Sequence, residues 1–265
     1  MSAGAFGPPI AVAVLLLIAA AAARGTWSPC GLSMISAINP FSERSRGHRY
    51  GWTVAWFVAG SLVGGAVLGA LGALGAAGLA AVGLPAALVC GLAAGCCLLA
   101  AAGDADRVPF HLPLIPRQVN ERWLSGYRRW FYASGFGAQI GFGLVTYVMT
   151  AAVYLVPVLG ALSGSPVFAL SCGLAFGLVR GLAILLTATV RSPGRLRELH
   201  RRLADLAPRS LQIVLALELL AVLVFSHAAG GLPVGLAVAA GLTAAVLWSR
   251  RSPVDQRPAA AVADR

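Results

Sequence analysis

Charged residues are scarce in this chain, and lysine is missing altogether. Only 11% of the 265 residues carry a charge, whereas 58% are hydrophobic and the mean hydropathy is +0.82. In soluble globular domains about a quarter of the residues are charged. The composition therefore excludes an ordinary soluble domain and predicts a chain that resides in a lipid bilayer.

Recognisable soluble active-site patterns are also missing. The five cysteines form no C-x-x-C pair and no Cys–His cluster, which excludes a zinc module and a disulfide scaffold. No glycine-rich phosphate loop, nucleophile elbow or pair of soluble carboxylates is present, so hydrolase and NTPase chemistry have no support. We expect no metal and no cofactor.

What is abundant is arginine, which supplies all 20 basic residues against nine acidic ones and gives a net charge of +11. Apart from Arg24 and Arg180, the arginines lie in three loops, 39–50, 103–130 and 191–210, and in the C-terminal tail. Arginine-rich loops mark the cytoplasmic side of a membrane protein. The charge therefore predicts membrane lipids as partners and argues against nucleic acid.

Apolar stretches long enough to cross about 30 Å of hydrocarbon occur about seven times. This predicts an all-α polytopic membrane protein with a transmembrane domain over 1–249 and a disordered cytoplasmic tail over 250–265. Seven spans place the N-terminus outside the plasma (inner) membrane and the C-terminus in the cytoplasm. The predicted spans lie near 9–39, where the stretch is broken, and at 52–75, 78–102, 131–157, 165–190, 210–228 and 231–249.

The first apolar stretch has two alternative interpretations. It could be a cleaved signal sequence, although the absence of a basic residue in 1–9 argues against this. Residues 9–23 could also cross alone, with Arg24 in a turn and 27–39 as a short return segment. Cys30 stays in or near the membrane in the second case as in the broken span.

A helix break is predicted around Ser28, Pro29 and Gly31. Proline removes a helix hydrogen bond, and exposed backbone is tolerated at membrane depth only where protein or a water-filled cavity covers it. The pattern therefore predicts a lined cavity that the Cys30 thiol faces. The alternative is that Pro29 only kinks a helix and that Cys30 fills space as a small hydrophobic side chain.

The stretch SPCGLS at 28–33 resembles the interrupted first helix of the CcdA/DsbD family of membrane thiol-disulfide electron carriers. The resemblance implies two inverted three-helix repeats, here about 9–102 and 131–228, with the span 231–249 added. It also implies a redox protein that passes reducing equivalents to extracytoplasmic thiol proteins, in cytochrome c maturation for example. Cys30 would be the catalytic thiol, and an extracytoplasmic thioredoxin-like protein and a second membrane subunit would be partners.

The family pattern calls for a second cysteine in the fourth helix, and here residues 132–149 contain none, although they include Gln139. Two thiols are needed to pass two electrons, because a second thiol must resolve the mixed disulfide. Cys172 in span five is the candidate resolving thiol. The cysteines of span three are expected to pack among glycine and alanine; they are Cys90, Cys96 and Cys97.

Three ionisable residues fall within or beside the predicted spans. Arg180 and Glu218 lie about 16 and 12 Å from the cytoplasmic helix ends, which predicts that they pair. The pair would either lock two helices or line a polar site with Cys30 and Gln139. Arg24 would favour a Cys30 thiolate if it lay close, or would reach to the interface.

The alternative function is a transporter of a small solute or ion, built on a related inverted-repeat scaffold without redox chemistry. Its polar site would be formed by Arg180, Glu218 and Gln139. The basic amphipathic segment 195–206, between spans five and six, is expected to lie against anionic headgroups in either case.

Overall fold

The computed structural model describes residues 6–105 and 128–251, with side chains as far as residue 231. Within these ranges the chain is helical and contains no strand, which confirms the predicted all-α class. The helices are α1 (Pro8–Arg24), α2 (Pro29–Ala37), α3 (Pro40–Ser45), α4 (Tyr50–Val82), α5 (Ala86–Asp104), α6 (Arg129–Phe142), α7 (Ala152–Leu162), α8 (Pro166–Leu182) and α9 (Pro193–Arg251). Short 3-10 turns follow α1 at Gly25–Trp27 and α8 at Ala183–Thr187.

Five stretches of helix are long and apolar enough to cross a membrane, and they correspond to predicted spans one, two, three, five and six. Large apolar side chains are exposed along them, including Val63, Leu74 and Val167. Such continuous apolar surface marks contact with lipid. The chain is a membrane protein. The five stretches are Pro8–Trp27, Tyr50–Val82, Ala86–Asp104, Pro166–Thr187 and Pro193–Gly231.

The predicted span over 131–157 is interrupted in the structure. Helix α6 ends at Phe142, Gly143 adopts a left-handed φ of 74°, and α7 begins only at Ala152. Glycine takes positive φ readily, and the β-branched residues that follow it are poor helix formers. The fourth apolar stretch therefore consists of two short helices, and neither reaches membrane length.

The predicted sixth and seventh spans both lie in helix α9. Helix α9 breaks at Gly231, where φ is 73° and ψ is −169°, so the predicted sixth and seventh spans meet at this residue. Most of the predicted loop over 103–130 and of the tail over 250–265 lies outside the described residues. The number of seven spans and the inverted repeat stay predictions.

Helix α4 lies at the centre of the bundle and packs against both α6 and α8. A Cβ on Gly173 would lie 2.3 Å from the Gly65 carbonyl oxygen, and a Cβ on Gly141 would lie 2.1 Å from that of Ser61. The Ser61 hydroxyl also donates a 2.7 Å hydrogen bond to the Gly177 carbonyl. Small residues let membrane helices approach closely, which holds the interrupted segments at fixed positions around α4.

The basic segment 195–206 is continuous with the predicted sixth span and does not form a helix of its own. It forms the beginning of α9 and packs against the first broken span. The Trp27 indole donates a 2.6 Å hydrogen bond to the Leu203 carbonyl, and Ser36 Oγ lies 3.2 Å from His200 Nε2. Leu203 is buried in an apolar cluster with Ile35, so this face of the helix covers protein and not headgroups.

Candidate functional site

The break in the first span lies where the sequence predicted it. Helix α1 passes into a 3-10 turn, and Ser28 then caps α2, its hydroxyl accepting from the Gly31 amide at 3.0 Å and donating to the Gly25 carbonyl at 2.7 Å. Pro29 occupies the first position of α2, where its missing N–H costs no helix hydrogen bond. Gly31 is required by space, since a Cβ would lie 2.5 Å from the Thr26 carbonyl oxygen.

Cys30 is therefore the second residue of a helix that begins inside the membrane domain. Its side chain is buried, with 2% of its surface exposed. The first turn of a helix presents unpaired N–H groups and the positive end of the helix dipole. A cysteine in this position has one of the environments that reactive thiols occupy in proteins.

Arg180, from α8, supplies positive charge to the same break. Its guanidinium packs directly on Gly25, where an added Cβ would lie 1.6 Å from Nη1, and it interacts electrostatically with Cys30. Its Nε donates a 3.2 Å hydrogen bond to the Ile140 carbonyl near the end of α6. Arg180 thus connects the first broken span to the segment just before the second break.

The predicted ion pair between Arg180 and Glu218 is wrong. Both carboxyl oxygens of Glu218 are buried without a hydrogen-bond partner in the described part of the chain, while Arg180 is directed to the break between α1 and α2. The similar depth of the two residues suggested a pair, but depth along a helix does not fix the direction in which a side chain points. Glu218 interacts electrostatically with Asp104 and Cys97 instead.

The side chain of Arg24 is hydrogen-bonded to α9. Its Nη1 donates to the Ala207 carbonyl at 2.8 Å and to Ser210 Oγ at 2.6 Å, and the side chain interacts electrostatically with Asp104. Only 8% of its surface is exposed, and both partners lie where the predicted sixth span begins at its cytoplasmic end, which fits the alternative in which Arg24 reaches the interface. The arginine that packs on Gly25, in the break that precedes Cys30, is Arg180.

Asp104, the last residue of α5, is a site residue that the sequence analysis missed. It accepts hydrogen bonds from the Thr150 hydroxyl and, at 2.5 Å, from the Ala151 amide. These groups precede α7, so a carboxylate from another helix caps the N-terminus that the second break creates. An acidic residue at the end of an apolar span was the sequence signal that could have identified Asp104. Its role as a helix cap depends on the break at 143–151, which the apolar sequence did not indicate.

Gln139 adjoins the second break, whereas Cys172 lies in the apolar core. Gln139 is half-buried in the last turn of α6, and its carbonyl accepts a 3.2 Å hydrogen bond from Gly143. Cys172 is fully buried in an apolar cluster with Phe176. All five cysteines are free thiols, so the proposed role of Cys172 stays a prediction.

A second polar cluster missed by the sequence analysis surrounds Glu43 at the predicted cytoplasmic side. The fully buried carboxylate accepts hydrogen bonds from Thr53 and Tyr132 and pairs with Arg46 at 3.0 Å. His48 Nδ1 lies 3.6 Å from the same carboxylate. Every acceptor oxygen has a partner, so this cluster joins α3 to α4 and α6 and is structural.

The reactive or charged groups near the two breaks include the Cys30 thiol, the Arg180 guanidinium and the carboxyls of Asp104 and Glu218. No set of three His, Cys, Asp or Glu side chains that could hold a metal ion occurs among the described residues. The two breaks lie in the first and fourth apolar stretches, which are the first stretches of the two predicted repeats. Arg180 contacts both stretches, at Gly25 and at the Ile140 carbonyl. Interrupted helices in this arrangement are where membrane transporters and carriers form their sites.

Comparison with known proteins relates this chain to the methylamine utilization protein MauF. No protein-family model matches the chain, and no solved structure does. The methylamine utilization protein MauF of Paracoccus versutus is 32% identical over 189 residues, which cover 65% of this chain and 64% of that protein. The MauF protein of Paracoccus denitrificans is 34% identical over 195 residues, 70% of this chain and 68% of that protein.

The match therefore spans slightly less than two thirds of the first relative and slightly more than two thirds of the second. It includes most of the described bundle by length, and it gives no direct support to the CcdA/DsbD resemblance of residues 28–33. Sequence identity at this level over this length shows common descent. The chain belongs to the family of the methylamine utilization protein MauF.

Proposed function

We propose that this chain is a thiol-disulfide redox protein of the plasma membrane, which passes reducing equivalents to extracytoplasmic thiol proteins. The observation that carries the proposal is the setting of Cys30, in the first turn of a helix that begins at a membrane break, where the guanidinium of Arg180 packs on Gly25. Positive charge next to a thiol stabilises the thiolate, which is the nucleophile in disulfide exchange.

In the proposed reaction the Cys30 thiolate attacks a disulfide of an extracytoplasmic thioredoxin-like partner. A mixed disulfide forms, the partner disulfide breaks, and the partner's released sulfur takes up a proton. A second thiol, from Cys172 or from a second membrane subunit, then attacks Cys30 and releases the reduced partner. The disulfide left behind receives two electrons and two protons from a cytoplasmic dithiol.

The relatives carry names that refer to methylamine utilization. We therefore propose that the thiol proteins served by this chain belong to that process, with cytochrome c maturation as the narrower alternative from the CcdA/DsbD resemblance. The proposal includes seven membrane spans: two inverted three-helix repeats and one added C-terminal span. The N-terminus then lies outside and the C-terminus lies in the cytoplasm.

Thiol trapping in the full-length protein tests the redox assignment. Cys30 should react with a membrane-permeant maleimide in the reduced protein, and Cys172→Ser should accumulate a mixed disulfide with a partner through Cys30. Cys30→Ser should leave extracytoplasmic thiol proteins oxidised, whereas the matched control Cys96→Ser, on α5, should have no effect. Full activity of Cys30→Ser in cells would refute the proposal.

A transporter of a small solute or ion is the second candidate, and the unpartnered buried carboxyl of Glu218 favours it. Uptake into proteoliposomes separates the two functions. A transporter should retain flux in Cys30→Ser and lose it in Glu218→Gln, while the redox protein should show the opposite sensitivity in thiol assays.

A further inference from the structure

Glu218 is the most unusual buried group in the described part of the chain. The residue has no exposed surface, and neither carboxyl oxygen has a hydrogen-bond partner there. Native proteins pair nearly all buried polar atoms, and an ionised carboxylate in hydrocarbon without a donor costs several kcal/mol. The neutral, protonated carboxyl is far cheaper to bury, so this arrangement fits a Glu218 that holds a proton.

The groups near Glu218 include a carboxyl, a thiol and an arginine. Helices α5 and α1 pack against α9, and the charged or titratable groups that the structure describes in this region include Asp104 and Cys97 from α5 and Arg24 from α1. Asp104 acts electrostatically on Glu218 and, when ionised, opposes a second negative charge there. The positive charge of Arg24 interacts with Asp104, so it offsets the negative charge of Asp104 and not that of Glu218.

Polar side chains also lie on the predicted cytoplasmic side of Glu218. Arg24 donates to Ser210, which lies eight residues, or about 12 Å, nearer the predicted cytoplasmic end of α9 than Glu218. Arg24 Nε is buried without a hydrogen-bond partner among the described residues.

We propose that Glu218 is a proton-binding site inside the membrane, with Asp104 as a charged neighbour. The ligand is a proton, and binding involves no electron transfer. The inference depends on neither of the two candidate functions, since it rests on the burial of Glu218 and on the polar side chains around it.

Labelling of the full-length protein with a hydrophobic carbodiimide tests the site, because such reagents modify protonated carboxyls in apolar surroundings. Mass spectrometry should locate the label on Glu218, labelling should fall as the pH is raised, and Na⁺ or K⁺ at constant pH should not change it. The exposed Glu198 is the internal control and should stay unlabelled. Asp104→Asn should move the loss of labelling to lower pH, because a negative neighbour is removed.

Three results would overturn the proposal. Protection of Glu218 by Na⁺ or K⁺ at constant pH would show a metal-cation site. Absence of label on Glu218 across the pH range would show that the carboxyl is ionised or paired. An infrared band of a protonated carboxyl that persists unchanged in Glu218→Gln would place the bound proton on a different residue.

Discussion

The Arg180 guanidinium lies against the backbone of Gly25, with Nη1 where a Cβ on Gly25 would have to be. This contact brings the charge of the fifth predicted span into the break of the first. It explains how an arginine can be 4% exposed in a membrane helix with no carboxylate partner among the described residues: its Nε donates to the Ile140 carbonyl, and its guanidinium packs on the backbone of the break at Gly25.

Gly25→Ala should displace Arg180 and lower both thermal stability and Cys30 reactivity. The new methyl group would lie 1.6 Å from Nη1, so the guanidinium must move away from the break. The matched control is Gly91→Ala on α5, where an added Cβ meets nothing within 4 Å and helix propensity favours alanine by about 0.5–1 kcal/mol. Equal unfolding temperatures and equal maleimide rates for the two variants would contradict the described contact.

Arg180→Gln and Glu218→Gln should have additive effects on the free energy of unfolding. The sequence alone predicted a pair, and a pair would give a coupling of about 0.5–3 kcal/mol in a double-mutant cycle. The structure directs the two side chains to different partners, so the coupling measured by denaturation in detergent should be close to zero. A large coupling energy would restore the ion pair.

Arg24→Gln and Asp104→Asn, by contrast, should show coupling. The two side chains interact electrostatically, and Asp104 also caps the helix that begins at Ala152. Asp104→Asn should cost about 1–3 kcal/mol, because one hydrogen bond and a favourable charge at the helix N-terminus are lost. In the Arg24→Gln background the cost should be smaller, and an unchanged cost would argue that the two groups do not interact.

Glu43→Gln should destabilise the protein by about 2–4 kcal/mol, because a buried carboxylate is removed from its partners Arg46, Thr53 and Tyr132. Glu198→Gln is the control, since Glu198 pairs with arginines on the exposed face of α9 and such pairs contribute little. Thermal unfolding in detergent compares the two variants. Similar losses would mean that the Glu43 cluster is not structural.

Reporter fusions check the orientation. A fusion after residue 48 or residue 200 should report the cytoplasm, since both follow arginine-rich segments, and a fusion after residue 230 should report the outside. Residues 200 and 230 lie on one helix, about 45 Å apart at the helical rise, so they should fall on opposite sides of the bilayer. The same signal at both positions would contradict the proposed crossing by α9.

The sequence by itself determined the membrane class, the positions of most long helices and the break at Ser28 and Pro29. These properties are local: hydropathy over a window decides which segments enter lipid, and proline after a capping serine decides where a helix begins again. Residues 143–151 show the limit of that reasoning, because an apolar segment reads as a span whether or not its backbone is helical.

Only the tertiary structure decided which polar groups meet. Arg180 lies at the break where sequence distance suggested Arg24, Arg24 instead contacts α9, and Asp104 caps a helix from another part of the chain. The physical reason is that helix rotation and packing decide where a side chain points, and here close glycine contacts around α4 set both. Sequence distance measures position along a helix, but not the face on which a charge lies.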